Sequence, residues 1–374
     1  MNQPPAHPES PYRWPAEWEP LEAVWVVPPH NPETWPGCLE QAQAQHAAWC
    51  DAMRQVVAVR TPGELGIPTD DSWIRDFGPL FVYRQNPDAP TRHAPPHHRE
   101  SPNAPSGEVA SHSKSEVWNE GGDEGGDEGG DEGGVVVQDF RFNGWGEKYE
   151  QRDADDAVGG ALGRALGLEV IRHERVLEGG ALDTDGRGTL LTTVDCLMNP
   201  SRKNSADREA VEAMLARTLG ITKVIWLELP AGGLPGDDTD GHVDNAARFV
   251  APGRVAIHPA LDPAPLRRAG LETLTLPAVQ PIYYDYPGDR FGPAKRMQLP
   301  ASYANFLIAN GRVFVPTFGQ PSDDQALRLL DQAMPDHTPV PIRAEHLVVG
   351  QGALHCLSMQ QPANVSGSPA KPER

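Results

Sequence analysis

GALDTDGRGTLLTT covers residues 180–193, NAARFVAPGRVAIH residues 245–258 and NFLIANGRVFVPTF residues 305–318. In each, an apolar, β-rich run meets a tight turn and returns as a second apolar run, the pattern of a hairpin. The turns fall at Asp185-Gly186, Pro252-Gly253 and Asn310-Gly311. LFVYR (80–84) and VVVQDFRF (135–142) make a fourth such pair, with a long insertion at its tip. Helical spacing of apolar residues predicts helices over Ser205–Leu219, with Ser205 as cap, over Gln41–Val57 and over Asp323–Met334. Strand-like VIRHERV, KVIWLEL and TPVPIRAE lie in the same intervals. The turn glycines Gly186, Gly253 and Gly311 stand 67 and 58 residues apart, so the chain without its insertion, about 324 residues, has room for about five units. Several strands and a helix per long repeat predict an α/β fold closed into a radial array, a propeller of α/β blades. An ordinary layered α/β sheet is the alternative.

Composition narrows the function. Of 374 residues, 39% are hydrophobic and 22% charged, which suits a soluble chain with one large core or two ordinary ones. The 37 glycines and 39 prolines, about a fifth of the chain, argue against a simple helical bundle. A net charge of −20 disfavours nucleic acid and anionic membrane as partners and suits a cationic ligand. No apolar run reaches the ~18 residues of a membrane span. The start, MNQPPAHPESPYRW, shows no secretory signal pattern. Cys38, Cys50, Cys196 and Cys356 form no CxxC pair and no disulfide framework. A cytoplasmic location is therefore expected. A single domain across 1–374 is expected, interrupted by residues 85–134. That stretch is rich in Pro, Ser and His and then repeats Gly-Gly-Asp-Glu three times. It reads as a mobile, solvated spacer, because it cannot bury enough apolar area to offset its ordering entropy. Residues 363–374 read as a disordered tail.

Four segments carry candidate chemistry. In GDDTDGHVDN (236–245), Asp238, Asp240, His242 and Asp244 alternate with smaller residues. On an extended strand they would share one face, and such a face needs something positive, a metal ion or an organic cation. An Asp-rich turn explains Asp237–Asp240 equally well but leaves His242 and Asp244 unexplained. In DDSWIRDFGPLFV (70–82), Asp76 is expected buried at a strand entrance, with Arg75 as first candidate partner. In LEGGA (177–181), Glu178 precedes a Gly pair that lets backbone approach closely. In VVGQGALHCLSMQQP (348–362), Cys356 reads as lying on an apolar strand. His355 would then point to the opposite face, leaving His242 as the available base.

Taken together, WPAEWEPLEAVWVVPPHNPETWPG, SWIRDFGPLFV, FRFNGWGEKY, LEGGALDTDG, GDDTDGHVDNAARFV and GALHCLSMQQP resemble the agmatine deiminases and bacterial-type peptidylarginine deiminases of the guanidine-modifying superfamily. The resemblance runs from about Trp14 to Pro362 apart from the insertion. It implies a five-bladed α/β propeller with pseudo-fivefold symmetry. It places the catalytic cysteine on Cys356, the histidine on His242 and the guanidinium-gripping carboxylates on Asp76, Glu178 and Asp244. The implied reaction turns agmatine into N-carbamoylputrescine and ammonia through an S-alkylthiouronium on Cys356, without metal or other cofactor. Asp238 and Asp240 are then candidates for attracting the distal amine, and Trp73 and Trp145 for walling the aliphatic tail. Deimination of peptidylarginine or another guanidine is the nearest alternative. A metal-dependent hydrolase built on Asp238, Asp240, His242 and Asp244, or a Ca²⁺-binding interaction protein acting through the acidic repeat, are alternatives of other classes. A homo-oligomer is left open.

Overall fold

The computed structural model describes residues 10–85, 132–204, 207–289 and 292–364. Most of the 85–134 insertion, most of the tail and the proposed cap Ser205 lie outside these residues.

Among the described residues, five of the six sheets contain one plan: an antiparallel strand pair, a helix, and a third strand parallel to the second, with Tyr12–Arg13 added as a fourth strand to one of them. In one, Leu80–Gln85 pairs with Glu132–Arg141, the helix Asp153–Ala165 follows, and Glu169–Val176 closes the unit. The next runs Asp183–Thr184, Thr189–Thr193, helix Arg208–Leu219 and Lys223–Leu227. A third runs Ala247–Ala251, Arg254–Ile257, helix Ala264–Arg268 and Glu272–Thr275. A fourth runs Leu307–Ala309, Arg312–Thr317, helix Ser322–Ala333 and Thr338–Arg343. The helix is the crossover that a parallel pair requires.

The fifth unit joins the two ends of the chain. Ser358–Pro362 pairs antiparallel with Leu21–Val26, which is followed by the helix Leu39–Met53 and the parallel strand Ala58–Arg60. An additional hairpin, Tyr283–Asp289 with Gly292–Gln298, stands apart from the five.

The hairpin turns fall where the sequence puts them, and helix limits shift by a few residues. The helix expected from Ser205 starts at Arg208, because Asp207 caps it by accepting from the Glu209 N–H. The helix expected to run to Val57 ends at Met53.

The core is apolar at the sheets and ionic at the centre. Arg75, Arg202 and Arg248 rank among the largest fully buried side chains, beside Trp25, Trp35 and Trp49. A buried guanidinium is tolerated only when paired. Arg248 meets Glu17 and Asp183, each at 2.8 Å.

Asn310 ties the Leu307–Thr317 hairpin to the terminal unit. Its side chain accepts from the Leu21 N–H at 2.8 Å and donates to the carbonyls of Leu21 and Val56 at 3.0 and 3.1 Å. Asn310→Ala leaves three half-buried backbone groups without that partner. The expected loss is about 1–3 kcal/mol of unfolding free energy, read from the urea midpoint at unchanged slope; an unchanged midpoint contradicts the structural role.

Candidate active site

Side chains from distant segments converge on Gly180. A Cβ placed on that residue would lie 2.6 Å from His242 Nδ1, 2.7 Å from Asp76 Oδ1 and 3.1 Å from Asp244 Oδ2. Only glycine fits there, and its N–H donates to Asp76 Oδ1 at 3.0 Å. Trp145 Nε1 donates to the other oxygen of Asp76 at 2.9 Å. On the far side of His242, Nε2 lies 3.3 Å from Glu178 Oε2. The Cys356 thiol donates to Asp244 Oδ2 at 3.4 Å, and Asn305 Nδ2 donates to the sulfur at 3.1 Å. Cys356, Asp76, Glu178, His242 and Asp244 are all buried.

Three local expectations are corrected. Asp76 is buried ahead of the strand Leu80–Gln85 as expected, but it is carried on a four-residue helix, Ile74–Phe77. Arg75 is not its partner: its N–H donates to the Cys356 carbonyl, Nε to the His355 carbonyl, and Nη1 to Gln360 Oε1 at 2.6 Å. Arg75 therefore docks the helix against the cysteine turn.

Residues 236–244 are not an extended strand. Asp237 accepts from the Thr239 N–H and hydroxyl and from the Gly241 N–H, which curls the segment. Asp240 and Gly241 take φ of 60° and 99°. The shared face on which Asp238, Asp240, His242 and Asp244 were to line up does not exist. His242 and Asp244 turn inward around the short turn Val243–Asn245. Asp240 instead pairs with Arg202 and, at 2.9 Å, with Lys148.

Cys356 lies in a turn before the strand Ser358–Pro362. The alternation that sent His355 to the opposite face therefore does not apply. His355 Nδ1 reaches the same Asp244 oxygen as the thiol does, at 2.8 Å.

Several contributors carried no signal in the sequence. Asn305 also accepts the His355 N–H through Oδ1 at 3.0 Å. Arg202 Nε donates to both oxygens of Glu178, at 3.0 and 3.2 Å, and Nη2 to the Thr239 carbonyl at 2.7 Å. It thus fastens the 237–241 turn to Glu178. Neither residue belongs to a motif with fixed spacing, so only the fold brings them in.

The electrostatics follow from burial and neighbours. Burial raises the Cys356 thiol well above its usual value, and the negative charges of Asp244 and Asp76 push it the same way. Burial also raises Asp76, with His242 opposing and Asp244 and Glu178 adding to the rise. Burial disfavours charge on His242, yet Asp76, Cys196 and Glu178 outweigh it and hold the imidazole well above its ordinary value. Burial is likewise outweighed at Glu178, by His242 and Arg202, and at Asp244, chiefly by His355; both carboxyls are lowered. The surroundings thus favour the protonated form of both the Cys356 thiol and the His242 ring.

Access is through a cleft lined by Trp73, Asp76, Trp145, Tyr149, Asp238 and Cys356, with Thr34, Thr239, Gly350 and Gln351 completing it. Trp73 stacks on Trp35 at 5.4 Å between centroids. Asp238 accepts from the Tyr149 hydroxyl. Among the described residues, the set with metal-ligand spacing is Glu178, Cys196 and His242, with ligand atoms within 4.8 Å of one another. The Arg202 guanidinium already supplies positive charge to that carboxylate. The acidic repeat lies outside the described residues.

Comparison with known proteins identifies the family. The chain belongs to the Porphyromonas-type peptidyl-arginine deiminase family, whose model matches residues 13–362. Agmatine deiminases of Pseudomonas fluorescens strains SBW25 and Pf-5 are 31% and 32% identical to it, over 94% and 93% of this chain and 96% and 95% of theirs. Among solved structures, the agmatine deiminase of Enterococcus faecalis superposes with a TM-score of 0.72 at 26% identity, covering 94% of this chain and 96% of that one. The substrate-bound C. jejuni agmatine deiminase gives 0.73 at 23% identity, over 94% and 97%. The chain shares their α/β fold.

In the free protein, the thiolate absorbance assigned to Cys356 by comparison with Cys356→Ala is expected to titrate only above the ordinary thiol value of 9.0. An ultraviolet pH titration reads this directly, and a Cys356 thiolate already formed at neutral pH contradicts it.

Proposed function

We propose that the protein hydrolyses agmatine to N-carbamoylputrescine and ammonia, with Cys356 as nucleophile. The observation that carries this reading is the Cys356 thiol 3.4 Å from Asp244, whose Oδ1 is buried without a hydrogen-bond partner, as is His242 Nδ1. A guanidinium is flat, permanently charged and rich in N–H donors, and carboxylates such as Asp76 and Asp244 receive those donors. The agmatine deiminase relatives supply the substrate name.

The bound cation supplies the charge that the thiol lacks. With a guanidinium between Asp76 and Asp244, the electrostatic penalty on a thiolate falls and its proton leaves to solvent. The sulfur attacks the guanidinium carbon, forming a C–S bond. The His242 imidazolium gives its proton to one amino nitrogen, and the C–N bond breaks to release ammonia. The product on the enzyme is a planar S-alkylthiouronium. Neutral His242 then takes a proton from water and hydroxide adds to the carbon; the C–S bond breaks as the added hydroxyl loses its proton to solvent, which frees the ureido product and thiolate. Glu178 holds His242 for both transfers, and Arg202 keeps Glu178 ionised. The scheme calls for no metal or organic cofactor.

The cleft joins aromatic walls to two carboxylates, a lining that suits a small cationic ligand. Asp238, the second carboxylate lining it, would meet a distal ammonium, and Trp73 and Trp145, which also line it, would flank an aliphatic chain. Asp240, neutralised by Arg202 and Lys148, serves the turn rather than the ligand. Peptidylarginine remains the second reading, because the family takes its description from that activity.

We also infer that the five units close into a five-bladed α/β propeller with pseudo-fivefold symmetry. Support comes from the pairing of Ser358–Pro362 with Leu21–Val26 and from the equivalent placement of the site residues. Asp76, Glu178, Asp244, Asn305 and Cys356 each stand just before the opening strand of a different unit. A single deiminase domain across 1–374 follows, with 85–134 as an insertion and 363–374 as a tail. No helix among the described residues is long and apolar enough to cross a membrane, and cytoplasmic action on a small cation is the corresponding proposal.

Ammonia release from agmatine, free arginine and a blocked arginine peptide, measured in parallel, tests the reading. Agmatine is expected to lead; faster release from the peptide would install the second reading in its place. Cys356→Ala should release no ammonia, and undiminished release would refute the covalent scheme. His242→Ala should keep less than about a hundredth of the rate, in line with general acid–base contributions of 10²–10⁴.

Asp238→Asn should raise the KM for agmatine roughly 10-fold or more, the worth of a charge-assisted contact. The KM for methylguanidine, which has no distal ammonium, should stay unchanged. Equal effects on both substrates would remove Asp238 from the distal subsite.

A further inference from the structure

His355 is buried between two carboxylates. Nδ1 lies 2.8 Å from Asp244 Oδ2 and Nε2 lies 2.9 Å from Glu17 Oε2. Glu17 is itself fixed, accepting from Arg248 Nη2 at 2.8 Å and from the Ile308 N–H at 2.6 Å, with Arg75 at 3.8 Å. Burial alone would raise both acids, but Arg248 and His355 hold Glu17 down and His355 holds Asp244 down. Each His355 ring nitrogen is thus within hydrogen-bond distance of a carboxylate oxygen. The series Arg248, Glu17, His355, Asp244 forms a continuous chain of polar contacts that ends 3.4 Å from the Cys356 sulfur.

We infer that His355, clamped by Glu17, is a positioning residue that fixes the Asp244 carboxylate through Oδ2 and leaves Oδ1 free to grip the substrate head group beside the Cys356 sulfur. The imidazole does not touch the reacting atoms; it acts through Asp244. The identity of the head group rests on the deiminase reading above, whereas the clamp itself rests on the protein geometry. The charged and titratable groups facing Asp244 are His355 and Cys356 from the C-terminal turn, Arg75 and Asp76 from the short helix, His242 from its own segment and Arg248 from the following strand. Of these, His355 alone donates a ring hydrogen bond to it.

The test is the titration of Asp244 itself in protein labelled at aspartate carboxyl carbons, with the resonance assigned by its loss in Asp244→Asn. In the native protein its midpoint is expected below the ordinary value of 3.8. In His355→Gln, which keeps an amide donor but no charge, the midpoint should rise by about 1–3 units, the span a close opposite charge imposes on a carboxylate. Glu17→Gln should shift it in the same direction by less, and it decides the matter if circular dichroism shows His355→Gln unfolded. The acid limb of kcat/KM for agmatine should move up with the same midpoint, a response that mere loss of folded protein does not produce. A carboxyl resonance titrating alike in native and variant protein, or staying ionised over the whole range in both, overturns the inference. The resonance needs no turnover, so failure of the native protein to release ammonia from agmatine would overturn the deiminase reading alone.

Discussion

Burial of Asp76, Glu178 and Asp244 around one glycine is the constraint to which the rest of the centre responds. Carboxylates brought this close out of water repel one another and lose hydration, so each demands a counter-charge. Glu178 finds Arg202 and His242, and Asp244 finds His355. Asp76 is different: its direct hydrogen-bond donors are neutral, the Trp145 indole and the Gly180 amide, with His242 at 3.6 Å. Its nearest positive charge, the His242 ring, is shared with Glu178. In the proposed scheme a cationic ligand would complete the balance, which is a physical reason for the site to prefer a guanidinium over a neutral amide.

The architecture explains how such a costly cluster is held. Each of five units offers the residues just ahead of its opening strand, and there the backbone is irregular: a four-residue helix before Leu80, short turns before Asp183 and Ala247, and a turn before Ser358. Irregular backbone can aim a side chain in directions that a strand forbids, while the strand that follows anchors it in a packed core. The buried arginines act as cross-ties between these openings. Arg75 joins the 74–77 helix to the cysteine turn, Arg202 joins Glu178 to the 237–241 turn, and Arg248 joins Glu17 to Asp183. Replacing a single cross-tie strands a charge, whereas the apolar sheets around it tolerate conservative change more easily.

The hairpins at Asp185-Gly186, Pro252-Gly253 and Asn310-Gly311 were legible because turn chemistry and apolar flanks are local properties. The terminal unit was not, since Leu21–Val26 finds its partner at Ser358–Pro362 and no local rule links segments so far apart. The same limit applies at the site. Cys356, His242, Asp76, Glu178 and Asp244 stood out as polar or reactive residues in apolar or glycine-rich surroundings, or through family resemblance. Asn305, Arg202 and Glu17 carry no such mark, because their importance is a matter of which neighbours the fold supplies. His355 was set aside by a period-two argument that holds on strands. The chain turns at that point, so sequence neighbours can reach one carboxylate oxygen together.

The protonation pattern also explains why the reaction would wait for its substrate. A thiol buried among carboxylates is a poor nucleophile, and a thiolate standing free beside Asp244 would be costly. In the proposed scheme that cost would fall when a positive charge of the right shape lies between Asp76 and Asp244. Neutral molecules entering the cleft would leave the thiol protonated, and cations too bulky to reach the carboxylates would do the same. Selectivity and activation then share one origin, the uncompensated charge of the pocket floor. In the proposed scheme His242, whose carboxylate neighbours favour its protonated form, would bring the proton needed by the leaving amine.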